Sequence, residues 1–285
     1  MEIFWNRKKG APGAGLRYRE KNEIPFLSFP LLEEYSSLVT HGFSTRLGGV
    51  SEGDLATMNL GFSRGDERTR VMENYRRMAE ALELPLERMV LSMQTHTANV
   101  RVVTEDDVGN GIFRPLPYKN VDGLITNVRN IPLVTFYADC VPLYVVDPVH
   151  KAIGLSHSGW RGTVKRMGAV TLSAMKEVYR TRPEDVLVGI GPSICRDCYE
   201  VSLDVAEEFR LAFGAEAERL LDEKADGKFQ LDLWEANRQV FLEAGVKSEH
   251  LAVTDICTCC NPELLFSHRA SKGKRGNLAA FLCLK

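Results

Sequence analysis

The stretch Tyr137–Gly162, YADCVPLYVVDPVHKAIGLSHSGWRG, decides the fold. With the residues just before it, it holds three apolar runs, PLVTFYADC, PLYVVD and KAIGLSHS. A turn at Asp147-Pro148 joins the last two, so all three read as strands. The next segment, TVKRMGAVTLSAMKEVYR, carries Val164, Met167, Thr171, Met175 and Val178 at helical spacing. Strands that are short and not always separated by helices predict a mixed sheet within an α/β (α+β) fold.

Working outward, RTRVMENYRRMAEALEL reads as a helix that stops before Pro85. MVLSMQTH and NVRVVT read as strands. Residues 104–120 are rich in Asp, Gly, Asn and Pro and read as a long loop, either a lid or a solvated excursion. VLVGIG, HLAVTDIC and NLAAFLCL read as later strands. Helices are expected over roughly 202–222 and 232–244, with Ser202 and Asp232 as N-caps and Gly245 as a stop. No linker or repeat interrupts the pattern, so residues 1–285 read as one domain.

The bulk numbers agree. The chain has 285 residues, 44% of them hydrophobic and 26% charged, which suits a globular core. A net charge of -2 makes no case for nucleic acid or an anionic membrane. The N-terminal MEIFWNRKKGAPGAG lacks a signal-peptide core, and no run reaches the ~18 apolar residues of a membrane span. The chain reads as cytoplasmic. Seven cysteines fit reduced thiols better than a disulfide framework.

His96, Cys140 and His157 each fall at the end of an expected strand. Two His and one Cys suit zinc with an open fourth position. Cys140 with His157 as base also suits a thiol nucleophile. Spacing alone leaves both open, together with unrelated packing. Cys195-x-x-Cys198 and Cys257-x-x-Cys260 have the pairing of a structural zinc site, but the gap between them far exceeds that of a compact ribbon. Scattered thiols are the preferred reading. Arg46 in STRLGGVSEG and Arg161 in SGWRGT sit beside glycines, where backbone N–H groups and a guanidinium together suit a phosphate, and Arg161 lies just ahead of the expected helix. Trp160 and His41 read as core as readily as site, and SHRASKGKRGN reads as a solvated loop.

Together HGFSTRLGGVSEG, NLGFSRGDE, QTHTANV, DGLITN, ADCVPL, SHSGWRGTV, GIGPSICRDCYEV and DICT…NPELLFSHR resemble the laccase-domain family, the YfiH/YlmD-like group named for polyphenol oxidase and also described as purine nucleoside phosphorylase. The blocks run in family order from about residue 41 to 269. The resemblance implies one domain of mixed sheets flanked by helices. It implies a catalytic zinc on His96, Cys140 and His157, and cleavage of adenosine, inosine and methylthioadenosine by phosphate, with adenosine deamination beside it. On that basis Arg46 and Arg161 are expected to hold phosphate, and Asp139 to orient a ligand or exchange a proton. Where the family often has Thr-Gly-Arg, this chain has Arg275-Gly276-Asn277; Asn277 does not replace the arginine's charge, which leaves a C-terminal anion contact either absent or supplied by the nearby Arg275 or Lys274. The rivals are a Cys140–His157 hydrolase or amidase acting on peptidoglycan precursors, a copper polyphenol oxidase and a zinc-stabilised interaction module. The copper reading is weakened by six histidines with no His-x-His pair, although copper binds such donors readily.

Overall fold

The structure is a computed structural model and describes residues 4–8 and 15–285. Residues 1–3 and 9–14, within the N-terminal stretch read above for a signal peptide, lie outside them. Its strands are β1 (Arg17–Lys21), β2 (Ile24–Ser28), β3 (Val39–Ser44), β4 (Val90–Leu91), β5 (Val100–Val102), β6 (Gly123–Thr126), β7 (Leu133–Tyr137), β8 (Val141–Asp147), β9 (Ala152–Ser158), β10 (Leu187–Ile190), β11 (Glu200–Val201), β12 (Leu221–Glu223), β13 (Phe229–Leu231), β14 (Leu251–Val253) and β15 (Leu278–Leu284). The helices are α1 (Pro30–Glu33), α2 (Arg68–Leu82), α3 (Trp160–Val164), α4 (Met167–Tyr179), α5 (Leu203–Phe213), α6 (Ala217–Leu220), α7 (Leu233–Glu243) and α8 (His268–Ser271).

Two six-stranded sheets form, in the orders β1-β2-β3-β15-β7-β4 and β14-β10-β8-β9-β6-β5, beside a small sheet β11-β13-β12. Most neighbours are antiparallel, while β4–β7, β5–β6 and β10–β14 are parallel. The expected mixed α/β architecture is therefore observed.

The large sheets stack face to face, with helices outside both. Strand β8 shows why its sequence is continuously apolar. Tyr144 and Val146 enter the core between the sheets, whereas Val141, Leu143 and Val145 enter the core under α4, α5 and α7. A strand buried on both faces needs no polar alternation. Strand β15 divides likewise: Leu278, Ala280 and Leu282 face inward, and Ala279 and Phe281 meet α2 through Val71, Tyr75 and Met78.

Several boundaries differ from expectation for local reasons. The 163–180 helix is two helices, because Arg166 takes a left-handed conformation and anchors on Glu243 and the Ala212 carbonyl. The first of the two begins at Trp160, so Arg161 lies inside a short helix rather than ahead of a long one. The 202–222 helix stops at Gly214 (φ +56°), and the chain then enters α6 and β12. MVLSMQTH contributes only a two-residue strand, since its second half is bent into the site described below. Loop 104–120 is not solvated throughout: Ile112 is fully buried while Phe113 is exposed, and Gly111 and Leu116 line the cavity described below.

His41 belongs to the core. Its Nε2 accepts from the Phe29 N–H at 2.9 Å, and its ring packs on Phe29 and Tyr144. Burial lowers its pKa to about 4, with Glu33 opposing the shift. The unfolded chain holds this proton more tightly, near 6.5, so the stabilisation is whole above pH 7 and is lost as pH falls from about 6.5 towards 4. A titration of unfolding free energy should lose about 2 kcal/mol from this group between pH 7 and 5. His41→Gln should remove that part of the slope, and an unchanged slope would contradict the assignment.

Candidate active site

His96, Cys140 and His157 converge. Their donor atoms all lie within 4.8 Å of one another. Cys140 Sγ is 3.9 Å from His96 Nε2, and the two imidazole rings are 5.0 Å apart, edge to face. Pairing of β8 with β9 sets Pro142 opposite His157 and Val141 opposite Ser158, which carries Cys140 to the same end of the sheet. His96 reaches the site differently. It sits in a turn beyond β4, at φ +62°.

Asp122 builds that turn. Fully buried at the start of β6, its carboxylate accepts the N–H groups of Thr95, His96 and Thr97, each at 3.0 Å, and the Thr97 hydroxyl at 2.8 Å. It also accepts from His157 Nδ1 at 2.9 Å. One side chain thus places two of the three donors and turns Nε2 of His157 towards the third. Burial alone would raise the Asp122 carboxyl, but the His157, Thr95 and Thr97 hydrogen bonds hold it well below the usual carboxylate range. The motif DGLITN by itself gives Asp122 no role; its one signal is an acid opening an otherwise apolar strand.

The thiol and imidazole polarise each other. Burial pushes Cys140 up, but His157 and then His96 overcome it and bring the thiol down to about 6. Burial depresses His157, while Cys140 and Asp122 outweigh it and raise it to about 9. Gly159 leaves room for all of this: a Cβ there would lie 2.9 Å from Cys140 Sγ and 3.0 Å from the His96 ring.

The donor set fits zinc. One soft sulfur and two imidazole nitrogens suit it, and the Asp122–His157 hydrogen bond is the kind of outer support that metal-bound histidines have.

The trio opens on a cavity of about 520 Å³, a volume in the range of small-molecule sites. Phe62, Leu91, Leu116 and Phe136 form apolar walls, and Arg275 and Asn277 add polar groups opposite. Burial and the nearby Arg64 pull the Arg275 guanidinium down to about 10, so it stays charged at neutral pH. Its Nε is buried without a partner.

The other expected site residues lie off this wall. Arg46 donates to the carbonyls of Ala56 (2.9 Å) and Pro262 (2.7 Å) and covers Phe266. Arg161 is exposed and stacks on Trp160. Asp139 accepts from Thr258 Oγ1 (2.6 Å) and the Arg269 N–H (2.8 Å), so both of its oxygens are engaged behind Cys140. SHRASKGKRGN is not simply solvated: Arg275 enters the cavity, and Arg269 donates to the carbonyls of Cys198 and Glu200.

A mixed double sheet carries this Cys/His₂ cluster at one end, the class of site that can hold a metal ion, and comparison with known proteins gives the family. Residues 40–285 match the family model described as multi-copper polyphenol oxidoreductase laccase, and the chain belongs to that family. It is 40% identical over 244 residues to purine nucleoside phosphorylase YlmD of Geobacillus stearothermophilus, covering 85% of this chain and 88% of the relative. It is 33% identical to adenosine deaminase RL5 from an unknown prokaryotic organism, covering 80% and 87%. Among solved structures, the hypothetical protein YfiH of Bacillus licheniformis superposes with a TM-score of 0.88 at 34% identity, covering 94% of this chain and 99% of that one. No helix among the described residues is long and apolar enough to cross a membrane.

Proposed function

We propose that the protein is a zinc-dependent purine nucleoside phosphorylase acting on adenosine, inosine and methylthioadenosine, with adenosine deamination as a second activity. The observation that carries this reading is the convergence of three zinc-type donors and a charged, incompletely partnered arginine on one cavity of nucleoside size. The names of the relatives point the same way.

His96, Cys140 and His157 would hold the zinc. When bound, the ion supplies Lewis acidity and lowers the pKa of a water in its open position. Phe62 and Phe136 offer flat apolar surface to the purine. Arg275 binds the phosphate, and the adjacent Arg64 adds positive charge that an anion relieves. This assignment replaces Arg46, whose guanidinium is held by backbone carbonyls, and leaves Arg161 a place outside the cavity. Asp139 positions the Cys140 backbone through its hydrogen bonds to Thr258 and Arg269. Asp122 fixes the His157 ring.

The direct test is to incubate adenosine and inosine, with and without phosphate, with zinc-loaded protein and to separate the products. Ribose 1-phosphate and free base forming only with phosphate is the expected result, while inosine from adenosine without phosphate marks deamination. No turnover of either nucleoside would sink the proposal. Arg275→Ala should raise the phosphate KM by about 10–100-fold, in line with about 1.5–3 kcal/mol for a charged hydrogen bond, and change the nucleoside KM much less. If Arg161→Ala has that effect instead, phosphate binds on the opposite flank.

A specific observation favours one alternative. The lowered Cys140 thiol and raised His157 imidazole describe a thiolate–imidazolium pair, the arrangement of a cysteine hydrolase or amidase. Activity that survives chelation but is abolished by iodoacetamide would select it. The copper oxidase reading finds less support: His41 is core, and His150 pairs with Asp147 away from the trio.

A further inference from the structure

The four cysteines read above as scattered thiols are not scattered. Sγ atoms of Cys195, Cys198, Cys257 and Cys260 all lie within 4.8 Å of one another. Cys198 and Cys260, 62 residues apart, are separated by 3.4 Å, and Cys195 and Cys260 by 3.9 Å. The long gap is bridged by sheet topology. Strand β10 precedes the first pair and β14 the second; the two strands are parallel neighbours, and Ser193 bridges to Cys257 beyond their ends.

We propose that these residues form a second metal site, a closed tetrahedral site for one zinc-class ion held by four thiolates and distinct from the cavity trio. Sulfurs about 2.3 Å from a tetrahedral zinc stand about 3.8 Å apart, close to the observed spacings. Disulfides are a poor alternative in this arrangement, since S–S bonding needs about 2.05 Å and all seven cysteines are free. So compact a set encloses a single ion rather than a cluster of several. The surroundings suit the negative charge of such a centre. Backbone N–H groups of Cys195 and Cys260 point at Cys257 Sγ at 3.2 and 3.4 Å. Lys8 lies beside the site, paired with Asp197 at 2.8 Å between the first two cysteines.

The site reaches Cys140 through Asp139. Thr258, between the second pair of cysteines, donates to Asp139. Ile194, just before the first pair, donates its N–H to the Asp139 carbonyl at 3.1 Å. Arg269 bridges the Cys198 carbonyl and the Asp139 carboxylate. The ion therefore ties together the two segments that fix the residue preceding Cys140.

The test is elemental analysis of the full-length protein with cobalt substitution. Wild type should hold two equivalents of zinc. Cys140→Ala, which breaks the trio, should retain one, and its cobalt form should show the intense sulfur-to-cobalt charge-transfer absorption of a multi-thiolate site. Cys260→Ser should lose one equivalent and most of that absorption, keeping only the weaker band of the single Cys140 thiolate at the trio. Should Cys260→Ser fail to fold, the Cys140→Ala measurements still decide the matter. A metal-free Cys140→Ala protein, or disulfides among these four cysteines in freshly purified wild type analysed by mass spectrometry, would overturn the proposal.

Discussion

Cys140→Ala is expected to lower kcat/KM for phosphorolysis by about 1,000-fold, or about 4 kcal/mol of transition-state stabilisation. It should also remove one equivalent of bound metal. The substitution takes away the only anionic donor of the trio, leaving two neutral imidazoles. The protein should remain folded, because Cys140 lies in a connection and the β8–β9 pairing beside it does not depend on its side chain. Circular dichroism and steady-state kinetics on metal-loaded protein are the measurements. Full activity in the variant would remove the thiol from the reaction and with it the proposed zinc chemistry. Loss of activity with metal fully retained at the trio would instead favour the cysteine nucleophile.

Asp122→Asn is expected to weaken zinc at the trio by about 10–100-fold and to cost about 4 kcal/mol of stability. Asparagine keeps the shape but offers one acceptor oxygen and an NH₂ group. That NH₂ would face backbone N–H groups which now bond to carboxylate. At least two part-buried donors lose their partners, at up to about 2 kcal/mol each. His157 loses the group that orients its ring and sets its proton on Nδ1. A zinc-competition titration measures the first effect and urea unfolding the second. A variant with normal stability and weakened zinc would assign Asp122 to ring orientation alone. Normal zinc affinity would show that the ring is held by packing against Tyr137 and His96.

How far this could be read in the chain depended on how local the cause was. Strands β7, β8 and β9 were legible because burial on both faces writes an unbroken apolar run into the sequence. Helix α2 was legible because one face packs on β15 and the other meets solvent. The edge strand β1 and its neighbour β2 were not, since RYREK carries little apolar pattern and is held by pairing with IPFLS. The trio was suggested by residue type and reached through family resemblance, because no local spacing joins a turn at His96 to strands 40 residues later. The four-cysteine cluster was misjudged for the same reason. Gap length is a sound guide when a metal site sits in one ribbon, and a poor one when two parallel strands carry its halves. Arg46 looked like an anion ligand because glycines follow it, but its guanidinium is taken up by the carbonyls of Ala56 and Pro262.

Asp122 carries one more consequence. The β6–β9 register sets Gly123 against Ser156, so Asp122 falls beside His157 only when that zipper is aligned. A slip of one residue would send the carboxylate to the opposite face of the sheet. The Thr95–Thr97 turn would then have nothing to wrap around, and His96 would leave the site. Assembly of the trio is therefore a proofreading of strand alignment: in a misregistered chain the three donors stay apart until the long-range pairing is correct.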